Sequence, residues 1–388
     1  MNLSESLAQL KLKLDSIDTV NEPLVEAKGH LDHPEDLVFL GGSQGASQAV
    51  DAILTTVKDP KAITIKWDGY PALIFGRGPN GKFSIMDKHM FNKKDGSGRQ
   101  VYSPQQFVQY DQARGVDRTG LHQLIAEIWP GLEKSDRSKG YYWGDLLFSE
   151  PLKPASDGLY HFRANPNGIE YTVDPKSEIG EELTGKTAGI VVHQFIPSTA
   201  MTTDEAVPLN GTLGSLKNNS NVAIVPAKMP ITPNLKIDQS LVKNAQSAIN
   251  KYGQAVDTLM TTAPQAASAF QTLFTTYINK RIVSKNLKDL YIGFMEYFES
   301  RPMTDSMRTK LSQHLEQNKD GVVGAFAIWV ALYNLKMAVV QQLNKAAESA
   351  PVQGYLQDGT RTQEGFVSQG LKFVDRMGFS AQNLAGRT

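Results

Sequence analysis

The sequence predicts an α+β fold, on three observations. Residues 60–230 carry short alternating apolar runs broken by turn dipeptides and prolines, the pattern of strands and loops. Residues 237–348 contain little but helix formers, with apolar side chains three and four apart. After residue 350 the alternation returns. This order fits a β-rich domain, 59–234 plus 350–388, preceded by a helical segment at 1–58 and interrupted by an all-α insertion at 235–349. A C-terminal helical domain with a small β appendage fits it as well. The chain has 388 residues, 40% hydrophobic and 21% charged, which is ordinary globular composition with enough apolar side chains for a sizeable core.

The elements follow in order. "MNLSESLAQLKLKLDSI" alternates at helical spacing and lacks the apolar centre of a signal peptide, so the cytoplasm is expected. A break falls at "HPEDLVFLGGSQG". Its glycines lack the G-K-[ST] ending of a phosphate loop and read as a turn capping a helix from Ala46. "AITIKWD", "PALIFGR" and "GKFSIMDK" read as a three-strand meander, the last two joined by "GPNG". "YYWGDLLF" and "AGIVVHQF" are further strands. Helices are expected near 238–262, 265–283, 286–300, 304–317 and 322–348. The apolar stretch "VVGAFAIWVALY" is too short to span a bilayer and reads as a buried helix. "EGFVSQGLKFVDR" reads as two strands joined at "SQG".

Charge and residue usage exclude some chemistries. Lys plus Arg and Asp plus Glu are both 40, which argues against a generic polycation and leaves room for a local basic groove. The absence of cysteine excludes disulfides and thiolate metal sites. His30 and His33 stand three apart without further ligands and read as capping or surface residues. Lys88, Lys93 and Lys94, in the basic glycine-rich "DKHMFNKKDGSGR", can touch phosphates of a nucleotide or a nucleic acid. "NKRIVSKNLK" at 279–288 is a second basic stretch, placed to rim an RNA groove.

On the first strand of the meander, alternation puts Ile63, Ile65 and Trp67 on an apolar face, and Thr64, Lys66 and Asp68 on a polar one. Gly69 removes a side chain where something can approach the backbone. The string "KWDGYPA" resembles motif I of the covalent nucleotidyltransferases, the ATP-dependent DNA ligases, RNA ligases and mRNA-capping enzymes. "YYWGDLLF" resembles motif III and "AGIVVHQF" motif IIIa. "EGFV" resembles motif IV and "LKFVDR" motif V. In this reading Gly370 replaces the first of the two lysines usual in motif V, with Arg376 a second cation nearby. A rival alignment makes "AGIVVHQF" motif IV and "VAIVPAKM", with Lys228, motif V; it lacks the motif IV acid. The segments "HPEDLVF", "KWDGYPA" and "EGFV…LKFVDR" also resemble uncharacterised ligase-like proteins of large tailed bacteriophages.

The resemblance implies an antiparallel nucleotidyltransferase (ligase adenylation) domain that forms a lysyl-AMP intermediate from ATP with Mg²⁺ or Mn²⁺. It implies Lys66 as nucleophile and Asp68 as the group that orients it or a metal-bound water. Gly69, Arg77 and Lys88 fall to nucleotide contacts. Asp145 and Glu364 fall to ribose and metal, and Phe195, or His193 in its place, to stacking on the base. Lys372 falls to the α-phosphate. RNA ends are the expected acceptor, ahead of nicked DNA, in host cytoplasm if the chain is phage-encoded. A nucleotidyltransferase that labels a protein or small molecule, and a phage structural or host-interaction protein that has lost turnover, are the alternatives.

Overall fold

The computed structural model describes residues 31–380 apart from 66, 68, 165–168, 210–212, 214, 215, 217, 218, 220, 228–232, 262–266, 357, 358 and 364. It is α+β, with helices outweighing strands. The helices are α1 (Leu37–Lys58), α2 (Lys88–Phe91), α3 (Pro104–Ala113), α4 (Thr119–Ser135), α5 (Glu178–Leu183), α6 (Gln239–Thr261), α7 (Ala267–Val283), α8 (Leu290–Glu299), α9 (Asp305–Gln317) and α10 (Lys319–Ala347). The strands are β1 (Thr64–Ile65), β2 (Ala72–Arg77), β3 (Phe83–Met86), β4 (Gly140–Phe148), β5 (Tyr160–Arg163), β6 (Glu170–Val173), β7 (Ala188–Pro197), β8 (Val207–Pro208), β9 (Val222–Pro226), β10 (Val352–Tyr355), β11 (Arg361–Thr362), β12 (Phe366–Ser368) and β13 (Leu371–Phe373).

Among the described residues three sheets are formed. The largest runs β3-β2-β4-β7-β8, with β9 added to β7 in parallel. A second runs β11-β10-β6-β5 and a third β1-β12-β13. The expected meander is therefore a hairpin only. β2 and β3 pair, but β1 leaves them and joins β12, some 300 residues on. The reason lies in the side chains of this strand. Ile63, Ile65 and Trp67 are each 1% exposed, and Trp67 stacks on Tyr171 of β6 with ring centroids 5.3 Å apart. They belong to the core of the helical block, whereas Leu73 and Phe75 of β2 belong to a second core beneath the largest sheet.

Among the described residues the helical block shares its core with α1 and the third sheet. α1 packs with α6 and α10, and Phe39 of α1 stacks on Phe274 of α7 at 5.0 Å. The core is continuous from there to β1, β12 and β13. α10, the described helix long and apolar enough to cross a bilayer, runs through this core with Phe326, Trp329 and Leu332 buried. The break read at "GGSQG" is a kink in α1 at Gly41 and Gly42, Gly42 having φ 56°. The helix restarts at Ser43, whose N–H and hydroxyl donate to Asp257 of α6 at 2.7 and 2.6 Å. A carboxylate from the bundle thus occupies the anion-attracting end of the resumed helix.

Candidate functional site

The third sheet sets the frame. Thr64 pairs with Val367, and Val367 with Lys372, so the three form one row across the strands. Adjacent strands lie about 4.8 Å apart, which places Lys372 about 10 Å from Thr64. The neighbouring row, Ile65, Phe366 and Phe373, is at most 1% exposed and faces the core. The row holding Lys372 is the outward one. Gln369 and Gly370 join β12 to β13 with φ of 52° and 68°. A two-residue turn with both positions left-handed matches the twist of a hairpin. The left-handed conformation of this turn accounts for a glycine at position 370. Lys372 donates its N–H to the Asp32 carbonyl at 2.9 Å.

Lys66, Asp68 and Glu364 lie outside the described residues, as does Lys228 of the rival alignment. Their flanking residues are described. Ile65 pairs with Phe366, so the segment that precedes position 66 meets the segment that follows position 364. β9, which precedes position 228, instead pairs with β7 in the largest sheet.

Gly69 and Tyr70 carry the chain from the third sheet to the largest. Tyr70 donates its N–H to the Leu146 carbonyl at 2.9 Å. A Cβ at Gly69 would collide with that carbonyl and approach the Asp145 Cβ to 2.8 Å. The close approach read from Gly69 is thus that of β4 itself, and it delivers the segment against Asp145. On β4, Asp145 is 3.1 Å from His193 Nε2 of β7, both side chains partly exposed. Trp143 shares the Asp145 face by alternation, and the Lys88 ammonium sits 5.1 Å from the centre of its ring.

Two expected nucleotide contacts are not brought to this face. Phe195 pairs directly with Tyr142 and packs edge-on against its ring at 5.5 Å, on the opposite side of the sheet from Asp145. The cause is a β-bulge. Trp143 pairs with Gln194 but Gly144 with Val192, leaving His193 as the extra residue. In unbroken alternation from Val191, Phe195 would share the Asp145 face; with His193 bulged, Phe195 pairs with Tyr142 and His193 reaches Asp145. Arg77 ends β2, five residues beyond the Ala72–Asp145 pair and roughly 16 Å away along the strand. It donates to the Glu133 carbonyl at 2.8 Å and the Gly81 carbonyl at 3.0 Å, and its Nε is 3.5 Å from the Asp136 carboxylate. Arg77 clamps the C-terminal end of α4.

Arg376 does not stand in for the missing lysine. It is 3% exposed and turns inward, 2.9 Å from Asp36 and 3.2 Å from Glu35. Lys336 of α10, fully buried, lies 2.7 Å from Glu35, and Trp329 donates to Asp36 at 2.8 Å. Two carboxylates and two cations thus close a charge-balanced cluster in the core. Burial lowers the Lys336 pKa, with Glu35 opposing the shift. His33 is held well below its ordinary value by burial and by Arg376, Lys336 and Lys372. It stands half-buried at the N-cap of the short turn Pro34–Asp36, one of the two placements expected for it. The sequence contained "HPEDLVF" but no local signal that its acids face Lys336 and Arg376.

Residues 28–387 match a family described as "Family of unknown function (DUF6267)". The chain belongs to DUF6267. No curated protein and no solved structure matches it. Among the described residues of this DUF6267 chain, no three His, Asp or Glu side chains converge as a metal-binding group. Asp145 with His193 is a pair. One carboxylate with a histidine against it does not make a closed metal cage. His193 was the less favoured reading of "AGIVVHQF", and the bulge that promotes it has no sequence signature.

Proposed function

We propose that this chain is a ligase-like nucleotidyltransferase that transfers AMP from ATP to Lys66 and then to an acceptor, with RNA ends as acceptor. The observation that carries the reading is the convergence of segments 300 residues apart. The strand leading into position 66 pairs with the strand leaving position 364, Lys372 lies in the same row, and Gly69 abuts Asp145. Those are the segments that resemble motifs I, III, IV and V.

In this reading the neutral Lys66 amine attacks the α-phosphorus. A P–N bond forms, the bond from that phosphorus to the bridging oxygen breaks, and pyrophosphate leaves while the amine gives up a proton. Asp68 orients the amine. Lys372 offsets charge on the α-phosphate from the outward row of the third sheet. Asp145, with His193 against it, and Glu364 serve the ribose and the ion. A bound Mg²⁺ or Mn²⁺ supplies charge neutralisation on the phosphates. Phe195 and Arg77 take no part.

The test is incubation with α-labelled ATP or GTP and Mg²⁺ or Mn²⁺, followed by denaturing electrophoresis. A labelled protein band with ATP, absent from Lys66→Ala and Lys66→Arg, is the expected result; guanidinium stays protonated and cannot attack. No band with either nucleotide and either ion would overturn the reading.

A further inference from the structure

The segment from Arg77 to Arg118 holds eight Lys and Arg against four Asp in a chain whose net charge is zero. Two of those acids are consumed internally. Asp87 and Asp111 are buried against Arg114 and Arg118, with contacts of 2.6–2.9 Å. Asp95 is exposed and meets Lys93 at 3.4 Å, a pair of little energetic weight. Among the described residues, no ion pair involves Lys82, Lys88, Lys94 or Arg99.

Several cations of the segment lie on aromatic rings. Lys82 lies 5.0 Å from the Tyr102 ring centre, Lys88 5.1 Å from Trp143 and Lys93 5.1 Å from Tyr110. Arg114 sits 5.7 Å from the same Tyr110 ring, and the His89 ring meets it edge-on at 6.2 Å. A ring holds a cation in place without cancelling its charge. Each head group is thus partly ordered before any anion arrives, which lowers the entropic cost of binding one. The strip begins at Trp143, two residues from Asp145 on the same face of β4. It passes over α2 from Lys88 to His89 and reaches Tyr110 on α3.

We infer that this strip binds a single-stranded polynucleotide and leads its end toward Asp145. Lys82 and Lys88, each on a ring and in no described ion pair, and Lys93, whose partner Asp95 is exposed, match a phosphate backbone. Partly exposed tyrosines among them suit the stacking of unpaired bases, a combination typical of single-strand grooves. In the other basic stretch Lys280 also lies 4.8 Å from a ring centre, that of Tyr297, while Arg281 donates to the Lys288 carbonyl and Asn279 is bonded to Arg376. The inference rests on the functional reading above for its direction toward Asp145, and on the strip alone for binding.

The experiment is fluorescence anisotropy with a labelled single-stranded RNA of about 20 nucleotides, the same sequence as DNA, and the duplex, across a salt series. The wild type, Lys93→Glu/Lys94→Glu, the milder Lys93→Gln/Lys94→Gln and Tyr110→Leu are compared, each checked for folding by its thermal transition. Expected are binding of single strands ahead of duplex, at least a tenfold loss in the charge-reversed variant and a smaller one in the Gln variant. The salt slope should fall by about 1.4 on loss of two phosphate contacts. Tighter binding of RNA than DNA names RNA as the source. No oligonucleotide binding, or equal binding by all four proteins, overturns the inference, as does binding of anionic lipid vesicles in its place. Adduct formation by the wild type is scored separately. An adduct without oligonucleotide binding removes this inference alone, and oligonucleotide binding without an adduct removes the enzymatic reading and leaves the strip.

Discussion

Gly69 shows how a single residue joins two sheets. Its missing Cβ lets the chain lie on the Leu146 carbonyl and against Asp145. Gly69→Ala is expected to cost about 1–3 kcal/mol, the usual penalty of overpacking, and to abolish any adduct; a urea titration alongside labelling checks both. Arg77→Met is expected to lower stability by about 1–2 kcal/mol, since carbonyls of α4 and the Asp136 carboxylate lose a charged donor. ATP affinity should stay unchanged. A tenfold loss of affinity at unchanged stability would return Arg77 to the nucleotide. At this scale the close approach at Gly69 was legible, because a glycine just after a strand is a local pattern, whereas its meeting with Asp145 was not. Phe195 was misread because one extra residue at His193 reverses every later side chain on β7, and nothing in "AGIVVHQF" marks it.

Among elements, long helices were the most legible. α6 to α10 lie within a few residues of the ranges read from apolar spacing, since a helix is decided by residues three and four apart. The strands were legible as strands but not as partners. β1 was placed beside β2 by proximity in sequence, while its buried Ile65 and Trp67 belong with Phe366. The β12–β13 hairpin was legible because "SQG" is a turn. Gly370→Lys restores the two-lysine pattern of motif V on paper. It is expected to cost about 1–2 kcal/mol, since φ is 68° there, and to leave labelling no faster than wild type. Chemical denaturation and adduct rates test it; a stable variant with faster transfer would show that the turn tolerates the side chain.

Across the whole molecule, the cluster of Glu35, Asp36, Lys336 and Arg376 ties the start of the described chain, α10 and the turn that follows the last described strand into one core. Glu35→Ala strands Lys336 and part of Arg376 without a partner and is expected to cost about 3–5 kcal/mol. Glu35→Met paired with Lys336→Met should recover much of that loss; urea midpoints of the single and double variants decide. His33 adds a pH dependence. Its folded-state pKa is depressed, so the unfolded chain binds the proton first as pH falls below about 6.5. Its contribution is intact above that pH and is lost below it, at up to about 1.4 kcal/mol per pH unit until the folded-state value is reached. His33→Gln should flatten this part of the wild-type curve between pH 7 and 5. None of this cluster was legible, because its members are separated by hundreds of residues and each segment reads locally as an ordinary polar patch.

The pairing of β1 with β12 has a consequence for the order of events during synthesis. With translation at about 5–20 residues per second, the partner strand leaves the ribosome roughly 15–60 s after β1 does. In that interval the edge of β1 has no strand to pair with, and Ile65 and Trp67 have no Phe366 to cover them. Nearly the whole helical bundle is made in the same interval. The third sheet therefore closes last, on a bundle already able to receive it, and a nascent chain stalled before residue 366 holds the lysine segment without the strand that frames it. Pulse-chase proteolysis of stalled chains would find the "KWDGYPA" segment cleavable up to that length and protected beyond it.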